Sequence, residues 1–282
     1  MKKIIAVMAI LRLTILRYFQ KKTWRLAASI SFYALFAIAP LWFLIITFGE
    51  QLFERTWLVE QFLEQVSIII GSEARTSIQT IINNFEIPDP GFWGYAGIII
   101  SFLFGAFNAV DQLRESINKI WQFPRFFKNR SQIKTKGILY LTVLPLFTLL
   151  IFISLATSWL INILITAVGP LISFKILLFR VGDLASSWII IFIASILIYK
   201  YLPDRDAGWK NVMAGSVLTA LMFSILKLFL SYSFMYKNIQ SMYGVISATF
   251  AFLILVYLSA QVILLGASFI GSLSEKQIQS SS

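Results

Sequence analysis

Three sets of polar side chains interrupt an otherwise apolar sequence, and each has a spacing with chemical meaning. Residues 103–122, LFGAFNAVDQLRESINKIWQ, pass from an apolar run into Asn108, Asp111, Gln112, Arg114, Glu115 and Asn118 with no intervening proline. At helical spacing Asn108, Asp111, Gln112, Glu115, Asn118, Lys119 and Gln122 form one polar face, and Val110, Leu113, Ile117, Ile120 and Trp121 form an apolar one. Asp111 can pair with Arg114 at i+3 and Glu115 with Lys119 at i+4; exposed pairs of this kind contribute only about 0.2–0.5 kcal/mol each. At membrane depth Asp111 needs a firmer partner, either Arg114 or a basic residue from the N-terminal segment.

The second set surrounds Lys227, a full charge well inside an apolar run. Ser216, Ala220, Ser224, Lys227 and Ser231 recur at spacings that place them on one helical face, small and polar. Such a face serves a binding or transport path with a cation for an anionic group. It also serves close helix packing through small residues, with Lys227 snorkelling to the headgroups. Gln261 stands alone in the last apolar run, and Pro40 interrupts an earlier one, SFYALFAIAPLWF, one to three turns after Ser29, Ser31 and Tyr33. A proline there frees a backbone carbonyl and bends the helix, as broken spans do at transport sites, although most membrane prolines are only kinks.

The third set is YKYLPDRDAGWKN, residues 199–211. Tyr199 and Tyr201 suit a membrane interface, Pro203 stops a helix, and Asp204 and Asp206 can hold a cation or cap the following helix. Two carboxylates alone do not make a metal site.

Much other chemistry is excluded. The chain has no histidine and no cysteine, which removes thiol nucleophiles, Ser-His triads and imidazole acid-base catalysis, along with the usual zinc ligands. No Gly-x4-Gly-Lys-Ser/Thr sequence provides a nucleotide phosphate loop. The expectation is therefore a nonenzymatic protein, with no cofactor, no bound metal and no nucleic-acid partner.

The elements that must position these residues are membrane helices. Of 282 residues 58% are hydrophobic and 13% charged, and the mean hydropathy is +0.80. The expected fold is an all-α integral membrane protein forming a single membrane domain over residues 1–282. Six runs reach the ~20 residues needed to cross a bilayer: about 27–48, 92–110, 138–166, 184–202, 212–232 and 245–270. None alternates as a barrel strand does. Basic residues outnumber acidic ones seven to none before the first span and seven to two between the second and third, but stand two to seven between the first and second. The positive-inside rule then places both termini in the cytoplasm of a multi-pass inner-membrane protein. The net charge of +11 is first explained by these loops and by anionic headgroups.

Residues 1–25 resemble a signal peptide only in their opening lysines. Arg12 breaks the apolar run, no small-x-small cleavage site follows, and the segment is expected to be retained. Ile4, Met8, Leu11, Ile15, Tyr18 and Phe19 recur at helical spacing among basic residues, so a basic amphipathic helix either lies on an anionic membrane surface or packs its charged face on the chain's own loops. Residues 49–91 are read as two amphipathic helices on the outer face, one with Leu58, Phe62, Val66, Ile69 and Ile70 and one with Ala74, Ile78, Ile81, Ile82 and Phe85, separated by Gly71-Ser72 and closed by the PDPG turn at 88–91. They form a cap over a cavity or an interfacial hairpin.

Four pieces, RLAASISFYALFAIAPLWFLI at 25–45, LRESINKIW at 113–121, YKYLPD at 199–204 and YGVISATFAFLILVYLSAQVILLGAS at 243–268, together resemble the YihY/BrkB family of bacterial inner-membrane proteins. The resemblance covers about residues 18–271 and implies six membrane helices with cytoplasmic termini. It brings three functional labels: ribonuclease, virulence or serum resistance, and transporter or permease. Family members commonly carry an acid after the last Gly-Ala, where this sequence has Ser268.

The first expectation is a transporter or exporter of a small solute or lipid-like amphiphile, with Tyr33, Pro40, Asn108, Asp111, Arg114, Asn118, Ser224, Lys227 and Gln261 lining its path and Pro203 and Asp204 forming the motif turn. The alternative is an envelope-assembly or virulence-associated membrane scaffold, and the third reading is a membrane-associated ribonuclease. Expected partners are membrane lipids, the unidentified substrate and, in a homo-oligomer, further copies of the chain.

Overall fold

The structure, a computed structural model, describes residues 2–50, 54, 56–60, 63, 79, 91–121, 188–204, 206–235 and 244–281. Every regular element among them is a helix. In chain order the longer ones are α1 (Lys2–Gln20), α2 (Thr23–Gly49) and α3 (Gly91–Ile120), then α4 (Trp188–Tyr201), α5 (Trp209–Met235) and α6 (Gly244–Ser281). Among the described residues three helices are long and apolar enough to cross a membrane: Gly91–Ile120, Trp209–Phe229 and Leu253–Lys276. The expected first span falls within α2, and the fourth is seen as the shorter apolar helix α4. The expected third span, 138–166, and nearly all of the outer segment lie outside the described residues.

Local chemistry accounts for the ends of these helices. The turn from α1 to α2 puts Lys22 in the left-handed region at φ 51°, a conformation that terminates helices and that non-glycine residues enter only with support. The support comes from Thr23, which is fully buried and whose hydroxyl donates to the Tyr18 carbonyl at 2.8 Å. In α4 the last helical bond runs from Leu202 N to Ile198 O at 3.2 Å. Pro203 has no N–H to continue the ladder. The next helix starts with Val212 N donating to Gly208 O at 3.1 Å, so Gly208, and neither Asp204 nor Asp206, occupies the position that caps α5.

The chain divides into two compact units. Unit 1 comprises residues 1–23, 114–224 and 262–282; unit 2 comprises 24–113 and 225–261. Unit 1 has a core of Ile117, Ile120, Trp121, Tyr199, Leu202, Val212, Leu264 and Ile270, all almost without exposure. The interfacial placement expected for the Tyr199-Tyr201 pair is corrected here: Tyr199 is 0% exposed and Tyr201 43%. Two residues apart on a helix, they point to different faces. Small residues let α6 approach its neighbours: an added Cβ at Gly215 would run into Ile270, and one at Gly266 would run into Thr219 and Tyr199.

In unit 2, α2 and α3 meet backbone to backbone. A Cβ added to Gly105 would lie 2.6 Å from Ala37 N and 2.8 Å from the Phe36 carbonyl carbon. Phe36 is the residue whose carbonyl has no i+4 donor, because the acceptor's partner in α2 is Pro40. Proline and glycine therefore act at the same place: one relaxes the ladder, the other admits the facing helix. Just after α2 the Leu58 side chain lies against Gly49, and Leu63 is fully buried.

Candidate functional site

Among the described residues a concentration of polar contacts lies in unit 1, where three of the four resemblance segments converge. Arg114 and Asn118 stand four residues apart on α3 and so share a face. Both reach Asp204, in the turn after α4. Arg114 Nε donates to Asp204 Oδ1 at 3.1 Å, and its Nη2 pairs with the same oxygen. Asn118 Nδ2 donates to the other oxygen, Oδ2, at 2.8 Å, while Asn118 Oδ1 accepts the Asp204 backbone N–H at 3.0 Å. That last bond has a local cause: Pro203 ends α4, so the N–H of Asp204 has lost its helical acceptor and Asn118 supplies one. The Arg114 side chain is 6% exposed and that of Asp204 27%. A charge this deep is tolerable only with its partner in place.

Two further contacts close the arrangement. Trp121 Nε1, at the end of LRESINKIW, donates to Ala267 O at 2.8 Å. Tyr199, from YKYLPD, shares a 2.7 Å hydrogen bond with Thr219 Oγ1 and donates at 2.7 Å to Ile263 O. Thr219 Oγ1 also lies 2.9 Å from Gly215 O; with one proton on each hydroxyl and that of Tyr199 given to Ile263 O, Thr219 donates either to this carbonyl or to the Tyr199 oxygen. The absent side chain of Gly266 leaves room for both hydroxyls. α3, α4 with the turn that follows it, α5 and α6 are thus tied by three separate sets of hydrogen bonds. Ser268, which stands where the family's acid is expected, is fully buried and donates to Leu264 O within its own helix.

At the ends of the same helices Asn211 Nδ2 donates to Ser274 Oγ at 3.0 Å, and Lys200 pairs with Asp206 while its ammonium lies 4.8 Å from the Trp209 ring centroid. Both carboxylates of the Asp204-Asp206 motif therefore face basic side chains. Among the described residues there is no group of three or more His, Cys, Asp or Glu side chains able to hold a metal ion. Ser216 Oγ is buried without a hydrogen-bond partner.

The other sequence-selected residues are distributed differently. Tyr33, Pro40, Asn108, Asp111, Lys227 and Gln261 belong to unit 2, whereas Arg114, Asn118, Pro203, Asp204 and Ser224 belong to unit 1. Asn108 Nδ2 donates to Phe104 O of its own helix at 2.6 Å, and Ser224 Oγ likewise bonds Ala220 O at 3.0 Å. Tyr33, Pro40, Asp111 and Gln261 are half-buried. Along the α5 stripe, Ser216 and Ala220 are fully buried and Ser224 is half-buried, while Lys227 is exposed. Sequence reasoning missed Tyr199, Trp121, Gly266 and Thr219 as members of the site. Their signal was the coincidence of three resemblance segments, each of which supplies one side of the network.

The family described as Virulence factor BrkB matches residues 14–282. A UPF0761 membrane protein of Nitrosospira multiformis is 27% identical over 266 residues, covering 92% of this chain and 59% of that protein. UPF0761 membrane proteins of Xanthomonas campestris and Xanthomonas axonopodis are each 25% identical over 279 residues, with 93% of this chain and 60% of theirs covered. The chain spans about three fifths of the length of these curated relatives. No solved structure matches it.

Proposed function

The chain belongs to the Virulence factor BrkB family, and from that premise we propose that it is a transporter or exporter of a small solute or lipid-like amphiphile. In this reading it crosses the bacterial inner membrane six times with both termini in the cytoplasm, is not an enzyme and needs no cofactor or nucleic acid. Membrane lipids and the transported molecule are its partners, and self-association is compatible with the reading. The observation that carries it is the buried Arg114–Asp204–Asn118 clasp. An apolar contact of similar volume would hold α3 to the α4–α5 turn as well or better, because burying an ion pair forfeits hydration that the Coulomb attraction only partly returns. A charged clasp is useful where a contact must open and re-form, as alternating exposure requires.

The test compares the metabolites and lipids taken up, released or retained by cells with the intact protein, without it, and with Asp204→Asn. A molecule that changes on deletion and changes again in the variant supports the reading; identical profiles at matched membrane levels of protein would remove it. A nonenzymatic scaffold is the second reading, favoured by the fact that the Trp121, Tyr199 and Asn211 donors find acceptors within the chain. A ribonuclease is the third. RNA cleavage by the purified protein with Mg²⁺, lost in an Asp204→Ala, Asp206→Ala variant, would raise it above the others.

A further inference from the structure

We propose that α1 is an in-plane anchor that binds an anionic lipid surface through its exposed apolar face. Three observations on unit 1 lead there. The first concerns depth. Arg17 Nη2 pairs with Glu275 and Nη1 donates to Ile120 O at 3.3 Å. Ile120 is the last residue of one membrane-length helix and Glu275 stands at the end of another, Leu253–Lys276. An added Cβ on Gly271 would lie 2.5 Å from Arg17 Nη1, so the guanidinium occupies a slot that glycine keeps open. α1 is therefore held at the same end of two membrane-length helices, past the close of their apolar runs.

Orientation is the second. Thr14, 3% exposed, and Arg17 face the rest of unit 1. Met8, Leu11, Ile15 and Phe19, on the other side of the helix, are 65%, 44%, 53% and 59% exposed. The amphipathic helix is turned with its polar side inward and its apolar side outward, the reverse of a helix packed on a globular core and the arrangement of one facing acyl chains.

The third is charge. The first 25 residues carry seven Lys or Arg and no acid. Arg12 is exposed beside the apolar arc, and Lys22 is exposed in the turn that follows. Apolar burial by itself does not distinguish one bilayer from another. The basic residues add attraction to anionic headgroups, which is screened by salt. The occupant is thus a bilayer surface rich in acidic phospholipid.

The chain has no cysteine, so single-cysteine variants of the full protein can be spin-labelled without background. Ile15→Cys, Phe19→Cys and Lys22→Cys would be reconstituted in bilayers of phosphatidylcholine alone and of phosphatidylcholine with phosphatidylglycerol. In the anionic bilayer, labels at positions 15 and 19 are expected to be accessible to oxygen and shielded from a water-soluble nickel chelate, with position 22 in water. In neutral lipid, in high salt, or with Arg12→Glu and Lys22→Glu added to the Ile15→Cys or Phe19→Cys protein, the shielding at 15 and 19 should fall. Several outcomes overturn the proposal: labels at 15 and 19 in water, shielding independent of lipid charge, or dipolar broadening between labels showing that a second copy covers the face. None of these depends on transport, so this proposal and the transport reading can fail separately.

Discussion

The contacts described in the two units differ in kind. In unit 1 polar groups reach across from one segment to another: Arg114 and Asn118 to Asp204, Trp121 to Ala267, Tyr199 to Thr219 and Ile263, Arg17 to Glu275. In unit 2 Asn108 turns back on its own helix and Lys227 is exposed, while α2 and α3 approach through Gly105. The difference teaches that polarity inside an apolar sequence has at least two uses. Directional contacts fix one arrangement of helices, whereas small-residue contacts set only how closely backbones approach.

The largest expected effect tests the clasp. Arg114→Ala removes the cation and leaves the partly buried Asp204 carboxylate with only the Asn118 amide as its side-chain donor, and breaking a buried pair costs up to about 3–5 kcal/mol. Thermal unfolding in detergent should register it, with partial recovery in the Arg114→Ala, Asp204→Ala double variant. If the single variant is as stable as the parent, unit 1 is not held by its polar network and the comparison collapses.

Next is Gly105→Leu, which forces a branched side chain between backbones already in contact; overpacking of this kind typically costs about 1–3 kcal/mol. A neutral result by the same measurement would mean that unit 2 is not organised by close approach at this point.

Tyr199→Phe keeps the ring and removes the hydroxyl. Thr219 can still donate to Gly215 O, while Ile263 O loses its donor, so a loss of about 1 kcal/mol is expected. A loss as large as that of Arg114→Ala would make the tyrosine, and not the ion pair, the centre of unit 1.

The smallest stability change belongs to Lys227→Gln. The side chain is exposed, and contacts of exposed charges typically contribute about 0.2–1 kcal/mol, yet a transport path that uses its charge would lose flux. Unchanged flux with unchanged stability would reduce Lys227 to a headgroup contact. A large loss of stability would instead extend the directional contacts of unit 1 into unit 2.

Much of the fold was legible because its signals are local. Continuous apolar runs, the basic excess at residues 1–25, the polar stripe beginning at Asn108 and the helix stop at Pro203 all follow from side-chain transfer energies and backbone chemistry over a few turns. The sequence also marked Arg114, Asn118 and Asp204 as polar groups needing an explanation. It could not say that they explain one another, since Arg114 and Asp204 are 90 residues apart and either could have found a nearer ion of opposite charge.

Tyr199 shows the limit most clearly. Sequence assigns amphipathic aromatics at a span's end to the interface, and Tyr201 fits that rule; burial of Tyr199 depends on Thr219, Ile263 and the vacant Gly266 arriving from two other helices. What the sequence determined was the class of the protein, its helices and the residues whose polarity demands partners, because hydrophobicity and helical periodicity are summed along the chain. The tertiary structure alone decided which residues became those partners and which side of α1 turned inward, because directional hydrogen bonds and close packing depend on distances between segments that no local pattern encodes.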